Sequence, residues 1–301
     1  MGSPAVRVPL MGAAKAVRRS QRRLEMCGSA DVFHDYILEA YEPPAPSEGM
    51  LRSVNALYET FALAGLDEQG GALVEAIRGA LGPFRTVWGA KWDVEGGSWR
   101  GWEVYFYDWK RVHADLSIDS IVRALSPLAK VDATLSRDLP WHMFSVEITP
   151  GALGGDGTSM PVHVYIDMRS YELRAARMTF ENVYTFHDPR SEIDDVMRRL
   201  RASVHVDLSL DSLAVLVPPA LFRCHKLCVA NKATGDALYF SRVDTRALLG
   251  FLRAHRYPAE LVAWIDAERS RLAHLLWDVG IDFTARDGRA VIRRTGFYGS
   301  F

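Results

Sequence analysis

Three cysteines in 301 residues, Cys27, Cys224 and Cys228, are too few for a disulfide framework. The sequence is therefore expected to belong to a reducing, cytoplasmic compartment. The run C-H-K-L-C at 224–228 brings two thiols and an imidazole together, but on a strand His225 faces away from both thiols. Zinc needs four converging ligands, so the two thiols read as buried structural groups and no metal site is expected from them. A long apolar run is missing as well. No window approaches the length of a transmembrane helix, and M-G-S-P-A-V-R-V-P-L-M-G lacks the apolar stretch of a secretory signal. Nor does charge of one sign dominate: 36 Lys and Arg stand against 37 Asp and Glu, a net charge of −1. No global field recruits nucleic acid or an anionic membrane, so any anion site must be local. Walker and dinucleotide patterns are absent too, and G-A-L-G-G-D-G-T-S at 151–159 reads as a loop because no Lys and helix follow it.

Aromatic residues, by contrast, are abundant: eight Trp, eleven Tyr and thirteen Phe. The basic stretch K-A-V-R-R-S-Q-R-R-L at 15–24 reads as a solvated helix face. The linker Y-E-P-P-A-P-S-E-G at 41–49 then sets an N-terminal helical arm (residues 1–49, arm and linker) apart from one domain at 50–301. Helical periodicity covers 51–64, 72–81, 118–128, 188–200, 244–252 and 258–276. Between them run period-two segments. T-V-W-G-A-K-W-D and W-E-V-Y-F-Y-D flank the turn V-E-G-G-S. H-M-F-S-V-E-I stands alone, and segments 162–168 and 173–181 pair around R-S-Y. Segments 222–230 and 237–242 flank N-K-A-T-G-D, and two last strands flank T-A-R-D-G-R. Eight to ten strands in sequential hairpins make antiparallel neighbours, and closure into a barrel removes their edges. About ten strands would leave a ligand chamber inside, with helices outside; an open twisted sheet with helices on one face is the rival arrangement.

With the apolar faces outward, the inward faces carry chemistry. The first hairpin offers Lys91 and Asp93, then Glu103, Tyr105 and Tyr107. The strand at 162–168 offers His163, Tyr165 and Asp167, and the next Arg177, Thr179 and Glu181. Lys226 with Cys224 and Cys228, then Lys232, Tyr239, Ser241, Arg294 and Tyr298 complete the set. Cations on several strands suit a polyanionic group such as a diphosphate. Tyrosine faces suit a carbocation kept from water, and Glu103 or His163 would take a proton. The plain alternative is the wet side of a half-buried sheet.

This order of elements resembles the prenyltransferase-barrel (ABBA) enzymes, most nearly the cyanobactin-type peptide prenyltransferases. The stretches that carry the resemblance are L-Y-E-T-F-A, G-A-K-W-D-V-E, W-E-V-Y-F-Y-D, S-E-I-D-D-V, N-K-A-T-G-D-A-L-Y-F and I-R-R-T-G-F-Y-G-S-F, in order through most of 50–301. The resemblance implies an α/β fold, a ten-stranded antiparallel barrel ringed by helices and built from repeated helix–hairpin units. It implies an isoprenyl diphosphate donor, often Mg²⁺-assisted, and a peptide or small aromatic acceptor. Lys91, Arg100, Lys232 and Arg294 fall where such enzymes bind the diphosphate, with Arg177 and Lys226 added from the face pattern. Tyr105, Tyr239 and Tyr298 would shield the cation, with Trp88 or Trp102 at the chamber floor. The family's acid four residues before the Lys falls on Val87, a departure that leaves Glu103 or Asp93 to substitute or points to a binding protein without activity. A monomer without nucleic-acid or membrane-spanning partners is expected.

Overall fold

The computed structural model describes residues 24–108, 116–131, 133, 140–174, 177–208, 213 and 215–301. Ten strands close into one antiparallel barrel. They are β1 (Thr86–Asp93), β2 (Ser98–Tyr107), β3 (Met143–Ile148), β4 (Val162–Ile166) and β5 (Arg169–Arg174), then β6 (Arg177–His187), β7 (Leu227–Lys232), β8 (Asp236–Asp244), β9 (Leu276–Arg286) and β10 (Arg289–Ser300). Each strand pairs with its sequence neighbour, and β1 pairs with β10 from Val87↔Ser300 to Asp93↔Arg294. The open-sheet alternative is thereby excluded.

Seven helices surround the barrel among the described residues: α1 (Val54–Leu63), α2 (Asp67–Leu81), α3 (Ile118–Leu125), α4 (Pro150–Leu153), α5 (Ile193–Arg201), α6 (Thr245–Ala254) and α7 (Ala259–Ala267). Local chemistry starts several of them. Ser117 and Ser120 form a reciprocal cap on α3, and Asp244 accepts from the Ala247 N–H at 2.7 Å to start α6. Helix α5 has Asp194 and Asp195 in its first turn and Arg198, Arg199 and Arg201 in its last, complementing the helix dipole. No helix among the described residues is long and apolar enough to cross a membrane.

The main apolar core lies between barrel and helices rather than in the lumen, because outward strand positions are the apolar ones. Trp88, Trp102, Phe106, Trp277 and Phe297 are fully buried there. The Phe61 ring of α1 lies 4.6 Å from that of Trp102, whose indole donates to Thr60 Oγ1 at 2.8 Å. Trp88 and Trp102 are therefore outer-core residues, not the chamber floor. All three cysteines are free and buried, Cys224 and Cys228 as expected and Cys27 as well.

The structure corrects the sequence reading at three further places. Residues 169–171, read as a turn, are the start of β5; the turn is at Asp167 and Met168, so β4, β5 and β6 make two successive hairpins with no helix between. The expected helical arm falls mainly on residues 1–23, outside the described residues, and residues 24–49 carry no helix. Instead, residues 33–41 form a strap held by a bridge between His34 and Ala40, and its Tyr36 enters one end of the barrel. That end, which holds Val87, Tyr107 and Leu276, is called the lower end. Lys226 lies there on the outside, pairing with the strap's Glu39 at 2.6 Å. It anchors the strap and does not face the chamber, because it precedes β7 at the lower rim.

Truncating Trp102 to Ala should lower stability by about 3–5 kcal/mol, read as a shift in urea midpoint. Ligand selectivity should not change with it, since the indole faces the helices.

Candidate functional site

The lumen holds a cavity of about 230 Å³. Its wall is a two-layer structure, and the register explains both layers.

The lower layer is a belt of five tyrosines, one from each even-numbered strand: Tyr105, Tyr165, Tyr184, Tyr239 and Tyr298. Each stands directly across from a small residue on an odd-numbered strand. Tyr105 faces Ser145, Tyr165 Ser170, Tyr184 Ala230, Tyr239 Gly280 and Tyr298 Gly89. Alternating large and small inward residues let the rings fill a lumen too narrow for ten large side chains. A methyl group at Gly89 would lie 2.5 Å from the Tyr298 ring, and one at Gly280 2.7 Å from that of Tyr239. Ring centroids follow one another at 6.1 Å (Tyr105–Tyr298), 6.2 Å (Tyr298–Tyr239), 6.5 Å (Tyr239–Tyr184) and 5.8 Å (Tyr184–Tyr165). Burial raises the pKa of every phenol in the belt, so the rings stay neutral.

The upper layer is charged. Lys91 pairs with Glu103, which also accepts from Tyr105 at 2.7 Å and from Ser145. Lys232 pairs with Asp282 and donates to the Tyr239 hydroxyl at 3.2 Å. His163 sits between Glu181, at 2.9 Å, and Glu147, at 3.5 Å. Arg100 and Arg294 border the cavity at its exposed upper rim and have no carboxylate within ion-pair distance among the described residues. Both owe their positions to bulges. Arg100 is the extra residue where β2 slips against β1, and β10 slips against β9 between Ile292 and Arg294. Since β1 lies between β2 and β10, Arg100, Lys91 and Arg294 occupy three adjacent strands.

These contacts fix the protonation states. Burial alone would depress the Lys91 ammonium, but the charges of Glu103 and Glu147 outweigh it and hold its pKa above the ordinary value. Burial likewise opposes the Glu103 carboxylate, yet Lys91 and His163 bring its pKa below normal. Glu147 is driven far down, chiefly by Lys91. Against burial, the carboxylates of Glu147 and Glu181, which accept from its ring N–H groups, raise His163 to about 10, so it is an imidazolium at neutral pH. A group already protonated takes no proton, which removes His163 from the base role expected for it.

Of the expected site residues, Lys91, Arg100, Glu103, Tyr105, His163, Lys232, Tyr239, Arg294 and Tyr298 all border the cavity. Arg177 does not: it is exposed at the upper end of β6, opposite Arg174. It has the inward parity of Thr179 and Glu172 but lies beyond the last β4–β5 pair, Val162↔Leu173, and so stands above the cavity. The bulge at Glu181 acts below it: it puts Glu181 into the lumen and reverses the parity, so Asn182, Tyr184 and Phe186 face inward. Asp93 accepts from Gly96 N–H in the hairpin turn and stays outside. Glu147, Asp282 and Tyr36 border the cavity without having been singled out, as do Tyr184 and Asn182. Val87 is sealed in a small apolar cluster with Tyr107 and Tyr298, under the strap. No group of three metal-binding side chains occurs among the described residues.

The chain is thus a closed ten-stranded antiparallel barrel with a polar, aromatic lumen. No protein-family model matches it, and no curated protein does so either.

The sign of the His163 shift makes a pH prediction. With a folded pKa of about 10 against an ordinary 6.5, its stabilising contribution is complete below 6.5 and is lost as pH rises through 10. A His163→Gln variant should therefore lose less melting temperature between those pH values than the wild type, measured by circular dichroism.

Proposed function

We propose that this protein is a prenyltransferase of the barrel type, moving an isoprenyl group from an isoprenyl diphosphate to a peptide or aromatic side chain. One observation carries the reading: three cations on adjacent strands, Arg100, Lys91 and Arg294, stand directly above a neutral five-tyrosine belt. A donor lies across that boundary with its diphosphate at the cations and its carbon chain among the rings. When the C–O bond breaks, both electrons leave with the diphosphate. Lys91, Arg100, Arg294 and, from the far side, Lys232 stabilise the growing charge without reorganising. The allylic cation stays against phenol faces, out of reach of water.

The nature of the base selects the acceptor. Glu103 borders the cavity, but its Lys91 pair makes it a weak base, poorly suited to deprotonating an alcohol. A prenylated aromatic carbon is a strong acid and releases its proton even to such a carboxylate, which favours an indole or similar ring. Mg²⁺ fits as a companion of the donor. The lining cations Lys91, Arg100, Lys232, Arg294 and His163 are balanced by Glu103, Glu147, Asp167, Glu181 and Asp282. A diphosphate therefore adds uncompensated negative charge. With no three-residue ligand set in the described residues, Mg²⁺ would be held mainly by diphosphate oxygens and water.

A second reading, a binding protein without turnover, draws on Val87 in the position of the family's acid. Non-hydrolysable isoprenyl thiodiphosphates, with and without Mg²⁺, test donor binding: the native state should melt higher in their presence, and more so with the metal. No shift with any donor would remove both readings. Binding without prenylation of indole-containing peptides, followed by mass spectrometry, would leave the second.

Changing Glu103 to Gln strands the Lys91 charge and should cost on the order of 3 kcal/mol in stability. Aromatic prenylation should fall with it at least tenfold; unchanged turnover would take Glu103 out of the base role.

A further inference from the structure

The belt is open below unless something crosses the lumen, and the strap does so. Its tip is a tight loop. Leu38 N–H donates to Asp35 O at 2.9 Å, Leu38 has φ 58°, and the Asp35 carboxylate accepts from Ile37 and Glu39 N–H at 3.2 and 3.0 Å. The loop is pinned from outside. Asp35 pairs with Arg242 at 2.9 Å, Glu39 with Lys226, and Tyr41 exchanges hydrogen bonds with both backbone groups of Leu276 at 3.0 and 3.2 Å.

What the loop presents is Tyr36. Its ring lies 6.1 Å from Tyr239, 6.3 Å from Phe186 and 6.4 Å from Tyr298, and its carbonyl accepts from Tyr107. The ring partners belong to β8, β6 and β10 and the carbonyl partner to β2, so Tyr36, backbone and ring together, reaches across the lower end. Its hydroxyl faces the buried Cys228 thiol, and its ring neighbours are aromatic, so the ring fills space in the lumen. Val87, in the cluster that Tyr36 packs on, is four residues below Lys91 on β1, about 13 Å along the strand. The cations and this ring therefore mark the two ends of the space.

We propose that Tyr36 sets the depth of the chamber and with it the length of the isoprenyl tail accepted, a specificity role that rests on the donor reading above. An engineered cavity of about 150 Å³ holds benzene. At about 230 Å³, a volume lined by the rim cations as well as by the belt, the wild-type chamber has room for a five-carbon tail together with the inner part of the diphosphate and leaves little for further isoprene units. Removing the ring opens the lumen toward Phe186 and the buried Cys228 without touching the rim.

Calorimetric titration of wild type, Tyr36→Ala and Tyr36→Trp with thiodiphosphates of five, ten and fifteen carbons, and with inorganic pyrophosphate, tests this. Wild type should bind the five-carbon donor best. Tyr36→Ala should move the preference to a longer tail by at least tenfold in the ratio of Kd values. Tyr36→Trp should weaken even the five-carbon donor, and pyrophosphate affinity should stay constant in all three. A folded Tyr36→Ala protein with the wild-type length profile would overturn the proposal alone. Should the Ala protein not fold, an unaltered five-carbon affinity in Tyr36→Trp would overturn it equally. A wild type that binds no donor would bring down the donor reading and this proposal with it.

Discussion

Everything inside this molecule depends on the ladder between β1 and β10. Seven residue pairs from Val87↔Ser300 to Asp93↔Arg294 join segments separated by about two hundred positions in sequence. They turn a meander with two free edges into a ring. Without that ladder the inward residues would be the wet face of a sheet. With it they become a chamber wall, and the polar groups they carry exchange bulk water for one another. The rim cations Lys91 and Arg294 sit on the two strands that meet at this ladder, so closing the barrel and assembling the anion-facing side are one event.

Two kinds of order coexist on the same wall. The belt is steric: a tyrosine on each even strand, a small residue opposite on each odd one. The rim is electrostatic: Glu103 and Glu147 hold Lys91 charged, Glu147 and Glu181 hold His163 charged, and Asp282 pairs with Lys232. Glu103 links the two layers, since it holds both the Lys91 ammonium and the Tyr105 hydroxyl. A ligand that moves Lys91 thus also moves the top of the belt.

Alternation made much of this legible in the sequence. The period-two faces of β1, β2, β4, β8 and β10 placed Lys91, Glu103, Tyr105, His163, Tyr239 and Tyr298 inward, and hairpins in succession argued for closure. What stayed hidden has two physical causes. A bulge adds one residue and inverts every face beyond it. Asn182 and Tyr184 therefore passed unnoticed in a strand that was ended too soon at 181, whereas Arg177 has the inward parity but stands above the lumen. Contacts across long separations leave no local trace either. Nothing in residues 33–41 announces that Lys226 and Arg242 will hold them against the barrel, or that Tyr36 will enter it. The matching of tyrosines to small residues was likewise invisible, because it exists only in the register between strands.

The strap also separates two tasks that a barrel wall normally has to perform together. On a strand, successive residues alternate between lumen and outer core, so a substitution that reshapes the cavity strains the pleat and its neighbours. A loop anchored from outside is free of that coupling. Evolution can exchange its tip residue, and so redraw the interior volume, while the ten strands and their surrounding helices keep their sequence.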